Sequence, residues 1–288
     1  MISAAHAALI ARATGADVVS CTPLGGGDIA TAYRLRSSDG RTLFYKTAPG
    51  AMFPAEARGL AELAAPGALR VPGVVAVGDD FLVLEAVDAG RRRTDFFANF
   101  GRGLAQLHRH THTHFGFDGD NFIGATPQPN PRCAAGPGVW AAWYWEHRLL
   151  YQLRQAERAR LASRGLSRAM AQLEALVPRL LEGTDEPPSL LHGDLWGGNF
   201  LVDTHGEPVL IDPAVYYGHR EAELGMTLLF GGFAPEFYDA YHQAWPLSPG
   251  WRRRMPVYQL YHVLNHLNLF GSGYGGQAEG LIRRYVAP

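Results

Sequence analysis

The alternation of apolar and polar positions divides this chain into a strand-rich front third and a longer helical remainder. Residues 3–14 are Ala-rich and carry apolar positions at helical spacing. Val18–Leu24 and residues 31–36 read as strands joined by Gly25-Gly26-Gly27-Asp28. The turn Ser37-Ser38-Asp39-Gly40 leads into a third strand, Thr42–Thr47. Pro54 opens a helix to about residue 64, with Leu60 and Leu63 at core-facing spacing. Val74–Val77 and residues 81–86 form two more strands around Gly78-Asp79-Asp80. These elements predict a small antiparallel sheet with one helix, a first lobe spanning residues 1–87.

After Asp88-Ala89-Gly90 the apolar period lengthens to that of helices. Residues 96–110, 140–160 and 167–181 read as helices, and residues 190–211 as strand, loop, strand. The rest is helical with breaks at Pro235, residues 246–249 and residues 271–276. Residues 115–137, rich in Gly, Pro and Asn, read as a long loop, and such a length in a compact protein marks a functional or well-packed segment. The whole predicts an α+β fold of two lobes, with residues 88–288 as the second.

Candidate chemistry sits in that second lobe. Leu191-His192-Gly193-Asp194-Leu195-Trp196-Gly197-Gly198-Asn199 is followed by Asp212, at the end of the apolar stretch 208–211. Phosphoryl transfer needs a carboxylate to orient and deprotonate the attacking hydroxyl. It also needs oxygen ligands that hold Mg²⁺ against the phosphates. An Asp, an amide five residues on and a second Asp after a short hairpin meet both needs. Asp and Asn also cap buried turns, so a structural reading stands beside the catalytic one. A second signal is the glycine turn at Gly25, Gly26, Gly27 and Asp28, where backbone N–H groups can approach phosphate closely. Any hairpin can use glycines, which keeps the alternative open there too.

The catalytic segment resembles the phosphotransferase relatives of aminoglycoside and choline kinases, whose loop reads His-Gly-Asp. More narrowly, Leu190 to Trp196 with Asn199, and Ile211-Asp212-Pro213-Ala214-Val215-Tyr216-Tyr217-Gly218-His219-Arg220-Glu221, are similar to the fructosamine (ketosamine) kinase family. Phe115-Gly116-Phe117-Asp118 with Asp120-Asn121, Thr126-Pro127-Gln128-Pro129-Asn130 and Pro256-Val257-Tyr258-Gln259-Leu260-Tyr261 carry the likeness across about residues 20–270. The resemblance implies a protein-kinase-like fold and ATP-dependent phosphorylation of the C3 hydroxyl of a ketosamine, the rearranged product of a reducing sugar and an amine. The C3 phosphate then leaves beside an enolisable ketone and the amine is freed, which is deglycation, a form of protein repair. Kinases of choline, an aminoglycoside or another small alcohol remain the alternative. A nucleotide-binding regulator without turnover is expected to lack Lys46, Asp194 or Asp212, and all three are present.

By the same resemblance, Asp194 is the catalytic base and Asn199 and Asp212 hold Mg²⁺. Gly25 to Asp28 and Lys46 contact the ATP phosphates, and Glu56 pairs with Lys46, although an acid on a helix is often simply solvated. Residues 81–87 form the strand and hinge whose backbone, around Glu85 and Val87, would bind adenine. Trp196, Tyr217, His219 and Glu221 flank the catalytic loop and are the substrate candidates. His192 is expected to brace the backbone, and Glu223 to hydrogen-bond the catalytic loop from a helix start. Asp28-Ile29-Ala30 replaces Asn residues seen in some relatives, and Gly197 a frequent Ser. Neither change removes a phosphate or metal ligand.

Composition narrows the picture. Of 26 basic residues 25 are arginine, and Lys46 is the single lysine, at the position that the phosphate argument selects independently. A net charge of −1 gives no excess basicity for nucleic acid or an anionic membrane. The N-terminus lacks the pattern of a signal peptide, and no apolar run is long enough to span a membrane. Cys21 and Cys133 are too few for a disulfide or zinc framework and fit a reducing compartment. A cytoplasmic monomer is expected, acting on a free or protein-bound ketosamine.

Other features read as structural. His108, His110, His112 and His114 straddle a helix end, so they cannot share a metal and are expected to be solvated. Arg91-Arg92-Arg93 is too short for a nucleic-acid patch and is expected to rim the cleft or linker. Trp140, Trp143 and Trp145 read as helix packing. Between residues 231 and 288 the acids are Glu236, Asp239 and Glu279, against Arg252, Arg253, Arg254, Arg283 and Arg284. That wall, with Tyr258, Tyr261, His262, Asn265 and His266, suits a neutral polyol bearing at most one amine, which Glu221 or Asp118 would meet. It does not suit the several ammonium groups of an aminoglycoside.

Overall fold

A computed structural model of the chain describes residues 2–25 and 30–286. Helix α1 (Ala4–Thr14) is capped by Ser3, whose hydroxyl accepts from the His6 N–H, and ends on left-handed Gly15. Strands β1 (Val18–Leu24), β2 (Thr31–Ser37) and β3 (Thr42–Thr47) precede α2 (Phe53–Ala64). With β4 (Val74–Val77) and β5 (Phe81–Glu85) they form one antiparallel sheet in the order β1-β2-β3-β5-β4.

Alternation along β3 decides what each face of the sheet does. Leu43 and Tyr45 point to the face that packs with Ile10, Leu35, Phe81 and Val83. Phe44 and Lys46 take the opposite face, where Phe53 and Leu60 of α2 cover Leu82 and Leu84. The two-residue period thus aims Lys46 at α2.

The second lobe begins with α3 (Phe96–His108). Residues 115–137, expected as a loop, contain four short strands: β6 (His114–Phe115) pairs with β9 (Cys133–Ala134), and β7 (Asn121–Ile123) with β8 (Thr126–Gln128). Strands this short carry too little period to be legible, and side chains fix them instead. Asn121 donates to the Val215 carbonyl at 2.8 Å and Gln128 to the Ala214 carbonyl at 3.0 Å. The segment therefore splints the backbone just after Asp212.

The long helix expected over residues 140–160 is α4 (Val139–Tyr144), a π-helical stretch over Trp145–Leu150, and α5 (Tyr151–Arg158). The π turn sets Arg148 inward, fully buried, with its guanidinium over the Trp143 and Tyr216 rings and donating to the Pro129 carbonyl and Asn130 Oδ1. The next expected helix is split into α6 (Arg164–Glu174) and α7 (Val177–Leu180).

Strand β10 (Ser189–Leu191) leads into the candidate catalytic loop, β11 (Phe200–Val202) and β12 (Pro208–Leu210) form the hairpin, and β13 (Tyr216–Gly218) pairs back with β10. Helices α8 (Glu221–Leu229), α9 (Pro235–Ala244), α10 (Trp251–Phe270) and α11 (Gly275–Ile282) complete the lobe around one core. Pro256 lies within α10, near its start. The expected packing of the Trp residues holds: Trp140, Trp143 and Trp145 are all buried. No helix among the described residues is long and apolar enough to cross a membrane.

Candidate active site

The candidate catalytic loop is held by its backbone. Gly193 has φ +86°, and a Cβ there would stand 2.0 Å from the Ala214 carbonyl oxygen, so the turn admits no side chain. Glu223, buried on the first turn of α8, accepts the N–H groups of His192 at 2.5 Å and Gly193 at 3.1 Å. Burial works against its charge, but nearby His108 and His192 and the backbone N–H outweigh it and lower its pKa. His192 braces the other side: its Nε2 reaches the Ile211 carbonyl at 2.9 Å and its Nδ1 accepts the Asp194 N–H at 3.3 Å. Those partners fix the tautomer with the proton on Nε2, and burial lowers the pKa of the ring. Both residues do what was expected of them.

Asp194 lies mostly inside the cleft, with 18% of its side chain exposed. Burial raises its pKa well above the ordinary carboxylate value. Glu223 and Asp212 push the same way, against the Asn199 hydrogen bond. The Asn199 amide N–H groups reach the Asp194 carbonyl at 2.8 Å and Oδ2 at 3.1 Å. Its backbone carbonyl accepts the Ile211 N–H at 3.1 Å, which ties the loop to the strand that ends at Asp212. Asp212 sits at φ +53°, a left-handed position rarely taken by a residue other than Gly. Its Oδ1 is 2.5 Å from Lys46 Nζ, and Lys46 is also 2.6 Å from Glu56 Oε1. Burial alone would lower the Lys46 pKa, but the two carboxylates outweigh it and raise it. Burial raises that of Glu56, against Lys46. Residues from four places in the chain thus form one continuous chain of contacts: Glu56, Lys46, Asp212 and, through the loop backbone, Asn199 and Asp194.

The donor set fits a hard cation. Asn199 spends its amide N–H on Asp194, so its Oδ1 carries no hydrogen bond among the described residues, and Asp212 is half exposed beside it. Two oxygen ligands, with the remainder from water and phosphate, are what Mg²⁺ uses.

The other expected residues divide. Gly25 is exposed at the end of β1, and Gly26, Gly27 and Asp28 lie outside the described residues. The Glu85 carboxylate is 2.5 Å from Arg70, the Glu85 backbone N–H donates to the Gly73 carbonyl, and Val87 lies just past the end of β5, partly buried. Trp196 stands 40% exposed beside the loop, over Gly198 and edge-on to Phe230. Three substrate candidates are engaged elsewhere. Tyr217 points toward α2, where its hydroxyl donates to Glu62 at 2.7 Å, beside His112. His219 is buried between Trp140, Tyr258 and Glu186, and burial pushes its pKa down to about 4. Glu221 is fully buried in a two-point ion pair with Arg254, at 2.6 and 2.7 Å. Asp118, the other acid expected to meet an amine, faces Arg132 at 2.9 Å.

His108 is not solvated as expected: it is fully buried, bonded to the Tyr241 hydroxyl and 3.7 Å from Glu223. Arg92 lies over Phe96, Phe97 and Phe200. One side chain was not singled out as a site residue. His262 of α10 brings its Nδ1 to 3.9 Å from Asp194 Oδ1. The sequence placed it in the acceptor wall, but nothing local marked which wall residue reaches the carboxylate.

Known proteins resemble this chain in sequence and in fold. A family model described as fructosamine kinase matches residues 2–288. The chain is 44% identical over 238 residues to a Synechocystis protein named probable ketoamine kinase, covering 81% of this chain and 78% of that one. It is 39% identical over 279 residues to a chloroplastic protein-ribulosamine 3-kinase of Oryza sativa subsp. japonica, covering 93% and 79%. A crystal structure from Thermobifida fusca, assigned as a fructosamine-3-kinase, superposes with TM-score 0.88 at 34% identity, covering 96% and 97%. An aminoglycoside phosphotransferase at 15% identity superposes with TM-score 0.65 over 98% of this chain and 100% of that one, which shows the shared two-lobed kinase fold. The chain belongs to the fructosamine kinase family.

Proposed function

We propose that this enzyme transfers the γ-phosphoryl group of ATP to the C3 hydroxyl of a ketosamine, with Asp194 as base and with Asn199 and Asp212 holding Mg²⁺. The contact chain from Lys46 through Asp212 to Asp194 carries the reading, because it joins a phosphate-binding cation to a proton acceptor across the cleft. The relatives' names, ketoamine and ribulosamine kinases, support the acceptor class.

Asp194 accepts the hydroxyl proton. Its raised pKa, caused first by burial, makes it a stronger base than a solvated carboxylate once the site is charged with substrate. Asn199 holds Asp194 Oδ2 and so leaves Oδ1 for the hydroxyl. Lys46, kept as a cation by Glu56 and Asp212, offers its charge to the phosphates, and the glycine turn from Gly25 to Asp28 would add backbone N–H groups. Val87 offers its backbone to adenine, and Trp196 a stacking face at the cleft mouth. Mg²⁺, when bound, neutralises charge on the transferred phosphate.

Amine recognition is narrow in this site. Glu221 is spent on Arg254 in a buried pair, and Asp118 lies at the surface beside Arg132. Among the described residues no cluster of unpaired carboxylates stands there to replace the hydration of several ammonium groups. The test is ATP consumption with ribulosyl-, fructosyl- and erythrulosyl-amines beside choline and kanamycin, with ³¹P NMR locating the phosphate. Turnover of a ketosamine and none of kanamycin is expected. Kanamycin phosphorylation with ketosamines inert would remove the substrate assignment and leave the kinase chemistry standing.

A further inference from the structure

His262 is buried, and its Nδ1 is closed from solvent with no hydrogen-bond partner among the described residues. Leaving such an atom unpaired costs on the order of 1–3 kcal/mol, and few native side chains bear it. Its neighbours are committed. His266 bonds the His262 backbone carbonyl at 2.8 Å, and the Tyr261 hydroxyl donates to Gln128 at 2.5 Å. The nitrogen faces Asp194 Oδ1 across 3.9 Å. That gap is too long for a hydrogen bond. It is the span of two atoms bridged by one oxygen at about 2.8 Å from each. Asn199 already holds the other carboxylate oxygen, so Oδ1 and Nδ1 face one another as an unfilled pair.

We propose that His262 Nδ1 is the second contact, with Asp194 Oδ1, for the reacting hydroxyl of the acceptor, a reading that rests on Asp194 being the base. The hydroxyl gives its proton toward Oδ1 and accepts the Nδ1 proton on one lone pair, and its other lone pair is left to attack. As the new oxygen–phosphorus bond forms, the bond from the γ-phosphorus to the bridging oxygen breaks, ADP leaves and the proton ends on Asp194. Burial, with His266 and Arg148 adding to it, pushes the His262 pKa down to about 3, so the ring is neutral and does not discharge the carboxylate. Its fixed place on α10 then decides which acceptor hydroxyl meets the phosphate.

The experiment uses geometry. Asn at this position places a polar atom near that of Nδ1, Gln places one near that of Nε2, and Phe fills the space without either. With ATP saturating and acceptor varied, His262→Phe and His262→Gln are expected to lose roughly tenfold to hundredfold in kcat/KM for the acceptor. His262→Asn is expected to stay within about fivefold of wild type, and KM for ATP to hold in all three. A Phe variant equal to wild type, an Asn variant no better than Gln, or parallel damage to ATP affinity would each overturn the contact. If Phe does not fold, the Asn and Gln pair decides. Wild-type turnover of ketosamines is read separately, and the variant ratios apply to whichever acceptor the screen identifies.

Discussion

At the scale of single residues, the site depends on where a charge is concentrated and on who surrounds it. Lys46 is a point cation between Glu56 at 2.6 Å and Asp212 at 2.5 Å, with its side chain only 10% exposed. Arginine keeps the charge but spreads it over a planar fork too wide for that gap. Lys46→Arg is therefore expected to fold and to lose on the order of 10² in kcat/KM for ATP. Steady-state kinetics beside a thermal melt checks this, and near-normal turnover would take Lys46 out of the phosphate site. The meetings of Lys46 with Asp212 and of Asn199 with Asp194 were legible because fixed spacing within a loop or strand determines them. The directions of Tyr217, His219 and Glu221 were not legible, because proximity in sequence to the loop does not give direction. Glu221 meets Arg254 across 33 residues, a pairing that no local pattern announces.

At the scale of elements, the loop from His192 to Asn199 is a turn whose backbone must approach another backbone. Gly193 and Gly67 both have positive φ, +86° and +62°, so alanine strains either one. Only at Gly193 does a Cβ also collide, with the Ala214 carbonyl; at Gly67 the space is open. Gly67→Ala is expected to cost about 1 kcal/mol from handedness alone. Gly193→Ala should cost about 3 kcal/mol or more, because the segment after Asp212 has to shift. Urea denaturation of the two variants measures the difference, and equal losses would mean that the close approach is not rigid. Long elements were readable from period: the five strands of the sheet, α2, α3 and the start of α9 at Pro235. The two- and three-residue strands within 115–137 were not, since their order comes from Asn121, Gln128 and Arg148 reaching distant carbonyls and rings.

At the scale of the whole molecule, the two lobes are clasped by polar contacts and the second is filled by buried ones. Tyr217 with Glu62, Arg70 with Asp203 and Lys46 with Asp212 cross between the lobes. Inside the second lobe lie the buried imidazoles of His108, His192, His219 and His262. His219 is the informative one, because its contacts are with Trp140, Tyr258 and Glu186. Burial drives its pKa down to about 4; Glu221 and Glu186 pull upward, and Arg220 and Arg254 push downward. In the unfolded chain the same ring titrates near the ordinary histidine value, about 6.5. Below that pH the unfolded state binds a proton that the folded state refuses, so His219 contributes stability that is present above about 6.5 and lost as pH falls toward 4. The loss approaches 1.4 kcal/mol per pH unit, up to about 3 kcal/mol across the window. Asp194 and Glu56, whose pKa values burial raises, act in the opposite direction, so the measurement is a difference. His219→Asn is expected to be less stable than wild type at pH 7.5, with the two stability profiles converging between pH 6.5 and 4 in urea melts at constant ionic strength. Profiles that stay parallel through that window would show that the buried ring is protonated in the native protein.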